Sequence, residues 1–217
     1  MRVQNRRFRP DHKTLEIQWD DDTSDLLSSL IAERYYSLLA PGNLIEDSDL
    51  VRIRQENAYE IALKRAYDLL ARKGYTSFEL RNKLTQSDIP ADTIRDVLTR
   101  LRQLDYLNDE KTLLDWALRQ LQERPMGHLK LKQLLIRRAG QCPLVQTILR
   151  QAYAQIPETE LIRHCLLKKY RQRPLADLKE KARAYRYLSS LGFRSDAIMQ
   201  IMSSPFDEDT RPSPDDD

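Results

Sequence analysis

Tyr75–Asp109, YTSFELRNKLTQSDIPADTIRDVLTRLRQLDYLND, and Gly127–Leu149, GHLKLKQLLIRRAGQCPLVQTIL, carry the same helical hydrophobic pattern. Leu80, Leu84, Ile94, Val97 and Leu98 of the first stretch fall on Leu131, Leu135, Val145, Ile148 and Leu149 of the second, about 51 residues on. A weaker third copy follows about 53 residues later, at Ala184, Leu188, Ile198, Ile201 and Met202. Self-similarity at a fixed period is the signature of tandem structural units. Each copy reads as three short helices whose apolar faces need one another or a neighbouring unit. The pattern therefore predicts a mainly α protein, an elongated array of three tandem three-helix repeats.

Local signals place the breaks. Ala62, Ala66, Leu69 and Leu70 give repeat one an apolar stripe on its first helix, which Gly74 is placed to end. Thr76 and Glu79 form a Thr-x-x-Glu capping box that starts the second helix, and Pro90 lies near the start of the third. Asn108, Asp109 and Glu110 open repeat two, in which Leu114, Ala117, Leu118 and Leu121 are expected to be buried; Gly127 and Pro143 break the remainder. Repeat three has breaks near Pro174 and Gly192-Phe193. Ahead of the repeats, Leu15, Ile17 and Trp19 alternate with polar residues as in a half-buried strand, and Asp20–Asp22 supply a turn. Leu26, Leu27, Leu30, Ile31 and Leu38 fit one helical face, stopped at Pro41-Gly42. Ile45–Ile53 fits either a connector or the start of the long helix. The expected organisation is a strand/helix segment over 1–57, repeats over 58–107, 108–156 and 157–203, and a disordered acidic tail over 204–217.

Charge is unevenly distributed. The formal net charge is +3, yet Asp207–Asp217 holds six acids and one Arg, net −5, so the rest of the chain carries +8. A basic body suits a polyanionic partner. Cys142 and Cys165 form no Cys-x-x-Cys pair, and no apolar run approaches the roughly 18 residues of a membrane span. With no secretory signal at Met1–Lys13, the expectation is a cytoplasmic protein with no membrane partner.

Signals for catalysis are poor. His12, His128 and His164 lie far apart outside any metal motif, and the five glycines form no phosphate loop. No enzyme activity, metal or cofactor is implied. Basic clusters are the stronger signal. Arg119, Arg124, Lys130, Lys132, Arg137 and Arg138 face the single acid Glu123 between Leu118 and Gln141. Arg163–Arg186 contains nine basic residues, including Lys168, Lys169, Arg171 and Arg173, against Asp177 and Glu180. Repeat one adds Arg72, Lys73, Arg81 and Lys83. Any one of these suits a solvated helix face; their recurrence in all three units suits a phosphate-contacting stripe with salt-dependent binding to single- and double-stranded DNA. The tyrosines among them, Tyr106 and Tyr187 above all, are better suited to core packing than to stacking on bases.

The fragments LLARKGYTSFELRNKL (69–84), IRDVLTRLRQLDYLND (94–109), RPMGHLKLKQLLIRRAG (124–140), LLKKYRQRP (166–174) and YLSSLGF (187–193) resemble, in order and spacing, the RecX family of bacterial regulators of the RecA recombinase. The matching positions are Arg72, Glu79, Leu80, Leu84, Tyr106, Leu107, Asp109, Arg124, Gly127, Leu134, Lys168, Lys169, Tyr170, Leu188, Gly192 and Phe193. The chain departs at Thr112-Leu113, where the family usually has Phe-Ala, and in the two serines before Leu191, where it usually has a basic pair. The resemblance implies a monomer that binds the RecA–DNA filament along its groove. There it would restrain filament extension, ATP turnover and strand exchange in recombinational repair and the SOS response. The alternative from another class is a stand-alone DNA-binding protein, since three-helix units resemble helix-turn-helix modules. Base-selective binding to naked duplex would favour that alternative; binding that requires the filament would favour the regulator.

Two expectations follow from the pattern alone. An array whose units contact only their neighbours should scatter X-rays as a particle longer than a sphere of equal mass, and a compact profile would contradict it. Deleting Asp207–Asp217, which has little to bury, should leave the melting temperature nearly unchanged; a large drop would show that the tail packs on the body.

Overall fold

The computed structural model describes residues 1–9, 13–87, 89–170 and 177–203. His12, the break expected near Pro174, Arg171, Arg173 and the acidic tail over 204–217 lie outside the described residues. Among those described there are three strands and ten helices, in two compact units divided along the chain between Asn108 and Asp109. The chain is mainly α, with a small N-terminal sheet.

The first unit opens with the antiparallel meander β1 (Val3–Phe8), β2 (Thr14–Trp19) and β3 (Ser24–Ser28). The alternation expected at Leu15, Ile17 and Trp19 is present: all three side chains are buried. They pack with Val3, Leu27 and Ile31 against Leu50 and Ile53. Two strands were not anticipated. β1 hides in a run of arginines, because as an edge strand it buries only Val3. β3 replaces the first part of the helix expected over Leu26–Leu38, which is reduced to α1 (Ser29–Arg34). The cause is the Asp20–Asp22 turn, tight enough to fold β3 back along β2, with Asp22 at φ 62° and the Trp19 amide donating to Thr23 O at 2.9 Å. Buried Asn57 then takes the place of a fourth strand. It accepts from the Ser28 amide and donates to Leu26 O, both at 2.8 Å, and so covers the outer edge of β3.

The segment Ile45–Ile53 joins the long helix: α2 spans Asp47–Leu70 and runs on through Ala58. It ends before Gly74. Its first half packs on the sheet; Ala62 and Ala66 of its second half pack with α3 (Ser77–Thr85) and α4 (Ala91–Gln103). The capping box is made, with the Glu79 amide donating to Thr76 Oγ1 and the Thr76 amide to Glu79 Oε2, both at 3.1 Å. A cap stabilises by about 1 kcal/mol, whereas truncating a buried Leu costs about 2–5 kcal/mol. The buried Leu80, Leu84, Ile94, Val97 and Leu98 therefore hold repeat one together, and the cap sets where α3 begins.

The second unit contains α5 (Asp109–Glu123), α6 (His128–Ala139), α7 (Leu144–Gln155), α8 (Glu158–Tyr170), α9 (Leu178–Ser190) and α10 (Ser195–Ser203). The periodic residues behave as expected. Leu131, Leu135, Val145, Ile148, Leu149, Ala184, Leu188, Ile198 and Ile201 are all buried, and Met202 is half-buried. Repeats two and three nevertheless share one continuous core rather than keeping separate ones. The buried stripe of α5 is Leu113, Ala117 and Leu121, with Leu114 and Leu118 only half-buried, so the helix is turned from the expected face. Leu113 fills that core.

Candidate partner-binding surface

The described candidate cations stand on the outside of the repeats. Arg72 and Lys73 follow α2; Arg81 and Lys83 are on α3. Arg119 is on α5 and Arg124 just beyond it; Lys130, Lys132, Arg137 and Arg138 are on α6; Lys168 and Lys169 end α8. All are exposed except Lys132 and Arg138, which are half-buried. Some surface charges elsewhere are paired, as in Arg34–Glu56 at 2.6 Å and Arg54–Asp25 at 2.7 Å. Among the described residues, no ion pair engages Arg81, Lys83, Arg119, Arg124, Lys130 or Lys168.

Two structural effects account for part of this pattern. Lys83, Arg137, Arg138, Lys168 and Lys169 lie in the last turns of their helices, where cations meet the unpaired carbonyls, worth about 0.3–1 kcal/mol each. Three candidates also cover aromatic rings. Lys73 Nζ sits 4.4 Å from the Tyr75 centroid, Arg138 Cζ 5.0 Å from the Trp116 ring and Lys169 Nζ 3.5 Å from the Tyr187 centroid. Tyr187 is thus half-buried under Lys169. Tyr106 departs from the expected core role, being 58% exposed with one edge against Tyr67.

A second constellation lies at the seam between repeats two and three, and neither Glu158 nor Arg194 was legible in the sequence. Glu158 is 8% exposed at the first residue of α8. One of its oxygens accepts from the His128 amide at 3.0 Å and the Arg194 amide at 3.3 Å; the other accepts from Arg194 Nε at 3.0 Å. One carboxylate thereby caps the starts of α6 and α10 from a third helix. In the sequence, Glu158 reads only as an acid in a first helical turn, and its partners lie 30 and 36 residues away.

The backbone is close-set at the same seam. The Gly127 amide donates to Leu191 O and the Leu129 amide to Gly192 O, both at 3.0 Å. A Cβ on Gly127 would stand 2.0 Å from Phe193 N, and one on Gly192, at φ +84°, 2.7 Å from Lys130 N. The His128 ring stacks on Tyr153 at 5.7 Å, and the Tyr153 hydroxyl donates to Met126 O at 3.1 Å. Burial lowers the His128 pKa despite nearby Glu158, and burial raises that of Tyr153. With Glu158 already accepting three hydrogen bonds and Tyr153 tied to a carbonyl, the seam binds the two repeats to each other. Among the described residues, no group of His, Cys, Asp and Glu is gathered as a metal would need, and no helix is long and apolar enough to cross a membrane.

Residues 58–101 match the model of the first three-helix domain of RecX, and residues 157–202 that of the third. The regulatory protein RecX of Trichlorobacter lovleyi is 30% identical over 138 residues, which cover 63% of this chain and 90% of that one. The chain belongs to the RecX family. The RecX of Lacticaseibacillus paracasei is also 30% identical, over 56% of this chain but only about half (49%) of its own longer length. A crystal structure of a regulatory protein RecX has the same fold, with a TM-score of 0.64 over 94% of this chain and 99% of that one, at 17% identity. Gly192 and Phe193 fall within the match to the third three-helix domain, and Gly127 lies ahead of it.

Proposed function

We propose that this RecX-family protein binds the RecA–DNA filament and restrains its extension, ATP hydrolysis and strand exchange, acting as a cytoplasmic monomer without chemistry of its own. The reading rests on family membership. It is supported by exposed cations that lack ion-pair partners among the described residues of all three repeats. Cations held this way keep their full charge for phosphates or acidic protein surfaces, and their contribution to binding weakens steeply with salt.

The test is the triple variant Lys168→Ala/Lys169→Ala/Arg171→Ala. Helicity should persist, since Ala is at least as good a helix former as Lys or Arg. Inhibition of RecA ATP hydrolysis on single-stranded DNA should fall. The salt dependence of binding should become shallower by up to about one unit of log–log slope per lost phosphate contact. A folded variant that inhibits as well as the parent across a salt series would reduce this cluster to a solvated face.

A further inference from the structure

We propose that the β1–β2 hairpin end of the N-terminal sheet is a binding site for single-stranded nucleic acid, built from Arg7 and Arg9 on one side of the edge strand and Tyr36 and Phe8 on the other. The site lies outside residues 58–101 and 157–202, and its existence does not depend on the filament reading above.

The sheet has unlike ends and unlike edges. Its β2–β3 end carries Asp20, Asp21 and Asp22; its β1–β2 end carries, among the described residues, Arg6, Arg7, Arg9 and Lys13 against Glu16. The β3 edge is covered by Asn57, whereas β1 pairs only with β2 along Asn5–Phe8. Side chains alternate along a strand. Arg6 and Phe8 lie opposite Ile17 and Leu15 and so share the inner face, while Arg7, opposite Glu16, shares the outer face with Arg9.

On the inner side the edge presents rings. Arg6 Nη1 donates to Tyr36 O at 2.6 Å, and its Cζ lies 3.8 Å from the Tyr36 ring centroid. The guanidinium thus fixes the ring and covers one of its faces, and Tyr36 remains 50% exposed. Phe8, two residues along the same face, is 41% exposed. On the outer side, Arg7 is exposed, and among the described residues Arg9 pairs only with Glu16, at a long 3.7 Å, both partners being nearly half exposed. Such a surface pair contributes little and is readily exchanged for a phosphate. An open strand edge with stacking rings on one side and guanidinium groups on the other suits a chain with bases on one side and phosphates on the other. An acidic peptide would use the arginines but leave the rings idle, and in a duplex the bases are already stacked.

The test uses the full chain and fluorescent oligothymidylate over a salt series. Arg7→Ala/Arg9→Ala should flatten the log–log salt slope by up to about 1.4, from about 0.7 per phosphate on a single strand. Tyr36→Leu, which keeps the backbone carbonyl that holds Arg6, should weaken binding roughly tenfold at unchanged slope, the scale of one stacked base. If both variants keep the parent's helical and sheet circular dichroism and its binding curves, the proposal is overturned. Labelled polyglutamate forms a second arm: sensitivity of its binding to the arginine pair, with oligothymidylate unaffected, would assign the hairpin to an acidic protein and overturn the nucleic-acid reading. A measurement on the unsubstituted chain removes dependence on folding. Photocrosslinking to a bromodeoxyuridine oligonucleotide should give adducts at Tyr36 or Phe8, and adducts confined to the repeats would overturn the assignment. Because Lys168 and Lys169 stay intact in these variants, failure here and failure of the filament reading are separable.

Discussion

Glu158→Ala should destabilise the second unit by about 2–3 kcal/mol, an effect out of proportion to the removal of one acid from a helix start. An ordinary first-turn carboxylate contributes about 0.3–1 kcal/mol through the helix dipole. Glu158 instead accepts from the His128 and Arg194 backbone amides and from Arg194 Nε, at the starts of two other helices, while nearly excluded from water. Removing the acceptor leaves partly buried donors unsatisfied, at about 1–3 kcal/mol for such a group. The Arg194 side chain is half exposed and can turn to water, so the figure stays below the roughly 3–5 kcal/mol of a fully buried broken pair. In thermal unfolding the loss should appear as a fall in melting temperature on the order of 10 °C. Glu158→Gln, which keeps an acceptor for the amides, should lie between the parent and the alanine variant. In a double-mutant cycle with Arg194→Ala, the two effects should couple. An alanine variant within about 0.5 kcal/mol of the parent would mean that Glu158 is no more than a first-turn acid.

This contrast separates what was legible in the sequence from what was not. The repeated Leu80/Leu131/Ala184 and Leu84/Leu135/Leu188 positions could be read because burial in a helix repeats every three or four residues, and each copy reinforces the others. The Thr76–Glu79 box could be read because both partners lie within one turn. Glu158 could not, since what distinguishes it lies across the fold. β1 escaped for another reason: an edge strand with four polar or charged residues among six buries too little to show a period. β3 was misread because Leu26, Leu27, Leu30 and Ile31 satisfy a helical spacing as well as a strand followed by a short helix. A turn at Asp22 and a side chain from Asn57 decided between them. The basic residues were easy to list and hard to interpret, because helix ends and aromatic rings attract cations for reasons unrelated to a partner.

Gly127→Ala should be the most damaging of the small substitutions in this chain, costing about 3–5 kcal/mol. The position needs glycine for space and not for backbone freedom, since its φ is an ordinary −88°. A methyl group there would fall 2.0 Å from Phe193 N and 2.1 Å from Phe193 Cα, where the atoms that must yield are backbone. Relief requires the Gly192-Phe193 turn to move away from the start of α6. That motion lengthens the 3.0 Å hydrogen bonds from Gly127 to Leu191 O and from Leu129 to Gly192 O. It also draws buried Phe193 out of the core that repeats two and three share. Overpacking costs about 1–3 kcal/mol, and each lost hydrogen bond adds about 1 kcal/mol. Gly42→Ala provides the comparison. There the cost is conformational, because φ is +91° and nothing stands within 4 Å of the added methyl, so about 1–2 kcal/mol is expected. Amide hydrogen exchange should therefore quicken throughout residues 109–203 in the Gly127 variant. The buried cluster of repeat one, formed by other residues, should keep its protection. Equal losses at Gly42 and Gly127, or unchanged exchange across α6 and α9, would show that the seam yields easily and that the two domains do not depend on its close approach.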